Sequence, residues 1–319
     1  MQARGAEDVI DEGWVECPRG HRFEVRRGVL NAMGESTPEI AGQLEENARE
    51  RRGELTDQEK DAYRRNISRI GLATYNRLIR DNARAALDAI SVHEGRSLDL
   101  GGGSGWLAAE LAGRDFAAVS LDIEDPNERL RQIEDGAGSR DFELVTDVSE
   151  EAARAAVDYV VGDMEHLPFA DGAFDLVTTS AALHHSSNPV RTLRQAARVL
   201  RPGGVLLALN EPAKGLFRDE SPILGGRGEA AGEHLYWTGT YLGFFRAAGL
   251  TPRLLFPGWI DRCLRERDWE GVVYYPRLLS TAGLLWSLPM VRSLTRGPLL
   301  RPALDLFGLT LICEGRRPA

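Results

Sequence analysis

Apolar and polar positions in the middle of the chain follow two alternating periods. From residue 96 to about residue 212, apolar runs of strand length alternate with segments whose apolar residues recur at helical spacing. The clearest helical segments are Trp106–Leu111 and Pro189–Leu200. The predicted strands are Ser97–Leu100, Ala117–Leu121, Asp158–Val161, Phe174–Thr178 and Val205–Leu209. This alternation predicts an α/β fold in which helices cover both faces of a parallel sheet.

The flanks differ in pattern from this central region, which we delimit as a core domain at residues 95–215. Residues 1–37 contain a short two-strand pattern punctuated by glycine and proline, typical of a small hairpin. Residues 38–94 have helical spacing and begin with Pro38, which suits a first helical turn, so we predict a helical cap there. Residues 216–319 are predicted to complete the sheet.

The C-terminal region carries an unusually long connection. A helical pattern at Thr238–Ala248 precedes two strand candidates, Pro252–Phe256 and Leu309–Cys313, and a helical insert at 259–305 separates them. Within it, apolar residues of the stretch 271–307 alternate with arginines. One interpretation is an amphipathic lid over a hydrophobic acceptor, or a peripheral contact with a membrane surface. The other is a helical pair packed on the core with its arginines outward.

Composition narrows the class of protein. The chain has 319 residues, of which 43% are hydrophobic and 27% charged, as is usual for a globular protein. A net charge of -9 disfavours nucleic-acid binding, which depends on basic surfaces. Three isolated cysteines predict neither disulfides nor a metal site and fit a reducing cytoplasm. The acidic N-terminus lacks signal-peptide features, and no apolar run reaches the length of a spanning helix.

A glycine-rich turn between the first predicted strand and helix points to a ligand site. Asp99 closes the strand, and the turn that follows opens the helix at Trp106. Glycines allow positive φ and close approach of a ligand, while the helix N-terminus offers free N–H groups. Trp106 stands where a dinucleotide fingerprint has its third glycine, and a P-loop lysine is missing. The glycines at issue are Gly101, Gly102, Gly103 and Gly105.

Three further segments follow in a characteristic order. Asp122 closes the second strand, where a carboxylate accepts hydrogen bonds from a ribose diol. The segment VVGDMEHLPF at 160–169 is followed by DGAFDLV at 171–177, and LRPGGVL occupies 200–206. Together with the Asp-x-Gly-x-Gly-x-Gly turn, these segments resemble the motifs of class I S-adenosylmethionine-dependent methyltransferases.

The resemblance implies a fold, a cofactor and a set of binding residues. The fold is a Rossmann-like, seven-stranded, mostly parallel sheet whose last strand is antiparallel, and the cofactor is S-adenosylmethionine. By the same resemblance, Asp99 supports the methionine portion of the cofactor. Asp163 accepts from the adenine amino group and the Met164 N–H meets a ring nitrogen, while Ser180 lies after the fourth strand beside the cofactor. The implied activity is methyl transfer by direct displacement. The N-terminal helices and the C-terminal insert favour a small, hydrophobic or amphipathic acceptor that they would enclose.

The residues that would contact the methyl acceptor are less clearly indicated by the sequence motifs. His184 and His185 follow the fourth strand and Glu211 follows the fifth, at the edge of the sheet where ligands bind. A histidine can act as a base near neutral pH, and Glu211 can orient a cation or a hydroxyl. Alternatively, these histidines only shape the loop.

Other functions remain in competition with this interpretation. The segment around Cys17 and His21 resembles half of a zinc ribbon found ahead of some ribosomal RNA methyltransferases. A structural zinc site needs four ligands, so we interpret the segment as a degenerate hairpin without metal. An RNA methyltransferase and a non-catalytic S-adenosylmethionine-binding scaffold are the alternative functions, and a nicotinamide oxidoreductase is a more distant one.

Overall fold

The computed structural model describes residues 10–17, 19–34, 37–51, 72–127, 157–216, 234–267, 276–308 and 310–319. Its strands form one sheet, whose order is β1-β2-β3-β6-β5-β4-β7-β8-β10-β9. The strands are β1 (Glu12–Glu16), β2 (Arg22–Arg26), β3 (Val29–Asn31), β4 (Gly95–Leu100), β5 (Phe116–Asp122), β6 (Val157–Val161), β7 (Phe174–Ser180), β8 (Leu200–Glu211), β9 (Thr251–Leu254) and β10 (Leu311–Arg316).

The central part of this sheet has the predicted topology. Strands β6, β5, β4, β7 and β8 pair in parallel, and β10 runs antiparallel between β8 and β9. The seven strand candidates of the sequence therefore correspond to β4 through β10. The α/β fold with a mostly parallel sheet and an antiparallel final strand is confirmed.

The sheet nevertheless has ten strands in the described residues, three more than the seven predicted. The N-terminal segment forms three strands, and β3 pairs in parallel with β6 through Val29↔Tyr159 and Leu30↔Val160. Just beyond the strand, the Ala32 N–H donates to the Val161 carbonyl at 2.8 Å. The two-strand hairpin predicted from the sequence is thus part of the main sheet, because the edge of β6 carries backbone groups that need partners.

Helices cover both faces of the sheet, and two apolar clusters pack beneath them. Asn188 starts one helix by accepting from the Arg191 N–H at 3.0 Å, and Pro189 occupies its first turn. The helices are α1 (Pro38–Arg51), α2 (Leu72–Ala89), α3 (Trp106–Ala112), α4 (Pro189–Val199), α5 (Thr238–Ala247), α6 (Gly258–Glu266), α7 (Pro276–Leu285), α8 (Pro289–Arg296) and α9 (Leu300–Phe307). Parts of the predicted cap and insert lie outside the described residues, at 52–71 and 268–275.

Helices α6 to α9 occupy the long connection between β9 and β10. A third apolar cluster joins α6 and the residues after α7 to Leu78 of α2. None of the helices in the described ranges combines the length and the apolar character needed to cross a bilayer.

Candidate functional site

The glycine turn lies between β4 and α3 and has a compact backbone with left-handed conformations. Gly101, Gly103 and Gly105 have φ values of 64°, 54° and 78°, a region that favours glycine. A Cβ atom on Gly101 would lie 2.5 Å from the Cβ of Ala182, and one on Gly102 would collide with Ser120. The sequence pattern therefore reflects both backbone conformation and lack of space.

Asp99 is a buried carboxylate directly before this turn. Its side chain is 2% exposed, and Oδ1 accepts from the Thr178 hydroxyl at 2.8 Å. Burial raises the pKa of Asp99 from 3.8 to about 7, the Thr178 hydrogen bond opposes this rise, and the nearby negative charge of Asp122 adds to it. Thr178 was missed by the sequence analysis, since only the pairing of β4 with β7 places it opposite Asp99.

Asp122 connects the end of β5 to the glycine turn. Its Oδ2 accepts from the Gly103 N–H at 2.9 Å, and its Oδ1 accepts from the Glu124 N–H at 3.0 Å. The side chain is half-buried, so it is fixed by the backbone yet reachable by a ligand. The carboxylate predicted to bind a ribose therefore lies beside the predicted cofactor turn.

Asp163 and Met164 follow β6, whose end pairs with the end of β5 at Asp122↔Val161. Asp163 Oδ1 accepts from the Glu165 N–H at 2.7 Å, and Oδ2 lies 2.5 Å from His166 Nδ1. Met164 is partly buried against the core. The register thus brings the predicted adenine-binding segment alongside Asp122.

Ser180 ends β7 and belongs to a buried chain of hydrogen bonds. Its hydroxyl accepts from Asn210 Nδ2 at 3.0 Å, Asn210 Oδ1 accepts from Asn82 Nδ2 at 2.8 Å, and Asn82 Oδ1 accepts from the Trp259 N–H at 3.2 Å. This chain links α2 and α6 to the carboxyl end of the sheet. The sequence analysis missed Asn82 and Asn210, because 128 positions separate these two residues.

Glu211 lies fully buried at the end of β8 and holds the loop after β7. Its Oε1 accepts from the N–H groups of Ala182 and Leu183 at 3.1 and 3.0 Å. Its Oε2 accepts from the His184 N–H at 3.2 Å and lies 2.9 Å from His184 Nδ1. His184 is 2% exposed, whereas His185 is half-buried, with the two rings 4.2 Å apart. The carboxylate of Glu211 therefore faces the loop backbone.

An aromatic cluster follows the same edge of the sheet beyond β8. Tyr236 makes edge contacts with Tyr241 and Phe244, with ring centroids 5.4 and 5.0 Å apart. The Tyr241 hydroxyl donates to the Pro212 carbonyl at 3.0 Å, and burial raises the pKa of Tyr241 well above its usual value. His234 lies beside the loop, and its N–H donates to the His184 carbonyl at 3.0 Å.

The glycine turn, the three aspartates, Ser180 and Glu211 lie at the carboxyl ends of the parallel strands, the edge where open α/β sheets bind ligands. The residues that the structure describes contain no cluster of His, Cys, Asp and Glu able to hold a metal. In the N-terminal hairpin, Cys17 Sγ lies 3.5 Å from His21 Nδ1.

Comparisons with protein families and with individual proteins both find similarity to methyltransferases. A family model described as a methyltransferase domain matches residues 98–208. The demethylmenaquinone methyltransferase of Beutenbergia cavernae is 37% identical over 127 residues, which cover 39% of this chain and 44% of that protein. The ubiquinone/menaquinone biosynthesis C-methyltransferase UbiE of Photorhabdus laumondii is 36% identical over 135 residues, which cover 42% and 49%. The chain thus spans less than half the length of these relatives.

Among solved structures, the Haloferax volcanii complex of the Trm112 methyltransferase activator with a methyltransferase contains a similar chain. It is 19% identical, covers 90% of this chain and 100% of its own length, and has a TM-score of 0.45.

The sheet order, with acidic residues at or close to the ends of β4, β5 and β6, defines a Rossmann-like α/β domain. Residues 98–208 match the model of a methyltransferase domain, which agrees with the resemblance to class I S-adenosylmethionine-dependent methyltransferases that the sequence motifs carry. S-adenosylmethionine is the cofactor of this family.

Proposed function

We propose that this chain transfers a methyl group from S-adenosylmethionine to a small hydrophobic or amphipathic acceptor by direct displacement. The single observation that carries the proposal is the pair of carboxylates at the glycine turn. Asp99 is buried there, and Asp122 is close enough to raise its pKa. Two adjacent acids favour a cationic ligand, such as the sulfonium and ammonium groups of S-adenosylmethionine, over an anionic pyrophosphate.

The residues of the turn fit this cofactor. Asp99 is suited to the ammonium group of the methionine portion, and Asp122 to the ribose diol. Asp163 is suited to accept from the adenine amino group, and the Met164 N–H to meet the ring. The turn glycines leave room for the ligand, and Ser180 borders it.

When bound, S-adenosylmethionine supplies a methyl group attached to a positively charged sulfur. The residues of this chain then have to bind it, align the acceptor with it and exclude water. Glu211 and His184 act through the backbone of residues 182–184, which they hold against the glycine turn at Gly101. In this proposal they are positioning residues, and half-buried His185 is the candidate to accept a proton from the acceptor.

The names of the relatives support a lipophilic acceptor, since they describe methyltransferases of menaquinone and ubiquinone biosynthesis. The acidic charge of the chain also supports a small acceptor over RNA.

The test is calorimetric titration of the protein with S-adenosylmethionine, S-adenosylhomocysteine and NAD. We expect micromolar binding of the first two and none of NAD. Asp122→Ala should weaken binding at least about tenfold, because a ligand diol loses a charged acceptor. Asp88→Ala is the matched control, since it removes a surface carboxylate that pairs with Arg114, and it should bind as the wild type does. Binding of NAD, or of none of the three, refutes the proposal.

A further inference from the structure

The helices between α6 and β10 expose an apolar surface, which we call the outer helical face. Among the described residues, eleven large hydrophobic side chains are exposed, and six of them fall within the sixteen positions 284–299. Met290 of α8 is 69% exposed, and α8 buries no residue at all. The six residues are Leu284, Leu285, Leu288, Met290, Leu294 and Leu299.

This face is firmly attached to the protein. Trp286 is 3% exposed, stacks on Phe256 at 5.3 Å and donates from Nε1 to Asp261 at 3.3 Å. Arg296 pairs with Asp261 and lies over the Trp286 ring at 5.7 Å. The exposed leucines therefore flank Trp286, which anchors this segment on α6 and on Phe256.

The charge of this region is opposite to that of the whole chain. Residues 271–307 contain four arginines and one acidic residue, whereas the chain as a whole has a net charge of -9. Arg296 and Arg301 are exposed, although each pairs with one carboxylate, and Arg292 is partly exposed on α8 between Met290 and Leu294. Exposed leucines interspersed with arginines on short helices are typical of surfaces that lie in the interface of an anionic membrane.

The outer helical face adjoins the edge of the sheet that carries the site. Leu216, five residues after Glu211, donates its N–H to the Asp305 carbonyl of α9 at 2.8 Å. Gly215 packs so closely on Gly308 that a side chain there would collide with its backbone. Leu216 is itself 67% exposed and extends the apolar surface toward β8.

We propose that the outer helical face docks on the surface of an anionic phospholipid bilayer, where leucines enter the interface and arginines meet lipid phosphates. We further infer that this docking brings a lipophilic acceptor from the bilayer to the site, and this part of the inference rests on the proposed function. The docking itself does not depend on methyl transfer.

The experiment is co-sedimentation of the protein with two kinds of vesicle, phosphatidylcholine alone and an equal mixture of phosphatidylcholine and phosphatidylglycerol. We expect sedimentation with the anionic vesicles only, weakened by added salt because exposed charges are screened. The double variant Met290→Ser/Leu294→Ser should bind roughly tenfold more weakly. Its matched control is Ile10→Ser/Trp14→Ser, which removes two exposed apolar side chains near β1 and should leave vesicle binding unchanged.

The proposal would be overturned if the protein did not sediment with anionic vesicles, or if both double variants bound them equally well. It would also be overturned if the protein did not bind vesicles but formed dimers, and Met290→Ser/Leu294→Ser abolished those dimers. The last would assign the face to a second copy of the chain. Thermal unfolding of each variant checks that it is folded. Calorimetry with S-adenosylmethionine on the same samples separates the two proposals, because vesicle binding without cofactor binding refutes only the proposed function.

Discussion

At the scale of single residues, Glu211 illustrates how a fully buried carboxylate is stabilised. Burying an ionised carboxyl group costs free energy unless hydrogen bonds replace its water. Here the backbone N–H groups of residues 182–184 and His184 Nδ1 surround it. These contacts shape the loop that follows β7.

We expect Glu211→Gln to lower the free energy of unfolding by about 2–4 kcal/mol. The amide NH₂ of the glutamine would face backbone N–H donors. In addition, hydrogen bonds to a charged acceptor stabilise the protein more than hydrogen bonds to a neutral one. His184→Asn is the matched variant. Its amide nitrogen can take the place of Nδ1 and the backbone bonds to Glu211 remain, so we expect a cost of about 1 kcal/mol. Urea denaturation measures both values, and an equal or larger loss for His184→Asn would contradict the positioning role.

At the scale of elements, the three N-terminal strands protect an edge that would otherwise be open. Strand β6 pairs with β5 on one side and with β3 on the other. Val25 of β2 and Val29 of β3 are each 5% exposed, so the added strands also contribute apolar burial. Because Asp163 lies two residues after the end of β6, these strands support the segment that we assign to adenine.

Val29→Asp should therefore destabilise the protein by about 2–4 kcal/mol, since it buries a carboxyl group without a partner. Affinity for S-adenosylhomocysteine should fall as well, because the end of β6 is no longer held. Val15→Asp is the control on exposed β1, where the side chain is 36% exposed, and we expect a change within about 0.5 kcal/mol. Chemical denaturation and calorimetry test both variants, and unchanged stability of Val29→Asp would show that β3 is dispensable.

At the scale of the whole molecule, the protonation of Asp99 influences global stability. Its pKa of about 7 in the folded protein exceeds the ordinary value of 3.8. Between these two values the folded state retains a proton that the unfolded state has released. The contribution of Asp99 to stability is therefore lost as the pH rises through this window and is smallest above pH 7.

Asp99→Asn should remove this dependence, since the amide keeps the hydrogen bond from Thr178 and has no charge to bury. In the absence of cofactor, the stability of the variant relative to the wild type should rise between about pH 5 and about pH 8. Urea denaturation of both proteins at the two pH values measures this difference, and parallel behaviour would contradict the raised pKa. The affinity of the same variant for the cofactor should fall, because the carboxylate proposed to bind the cofactor has been replaced.

The sequence by itself determined the central strands and the glycine turn. Strand β4 was predicted at Ser97–Leu100 and spans Gly95–Leu100, because apolar runs bounded by turn residues are local signals. The turn was predictable for the same reason, since only glycine readily adopts the positive φ found at Gly101, Gly103 and Gly105. The order of motifs along the chain was sufficient to indicate the family.

Only the tertiary structure decided which distant groups meet. The pairing of β3 with β6, of Asp99 with Thr178 and of Glu211 with the loop at 182–184 depends on strand order and register. The local pattern of a strand shows which of its residues face inward, but it does not show which other strand it pairs with. The N-terminal hairpin was therefore predicted as a separate unit, although β3 joins the N-terminal strands to β6 of the main sheet.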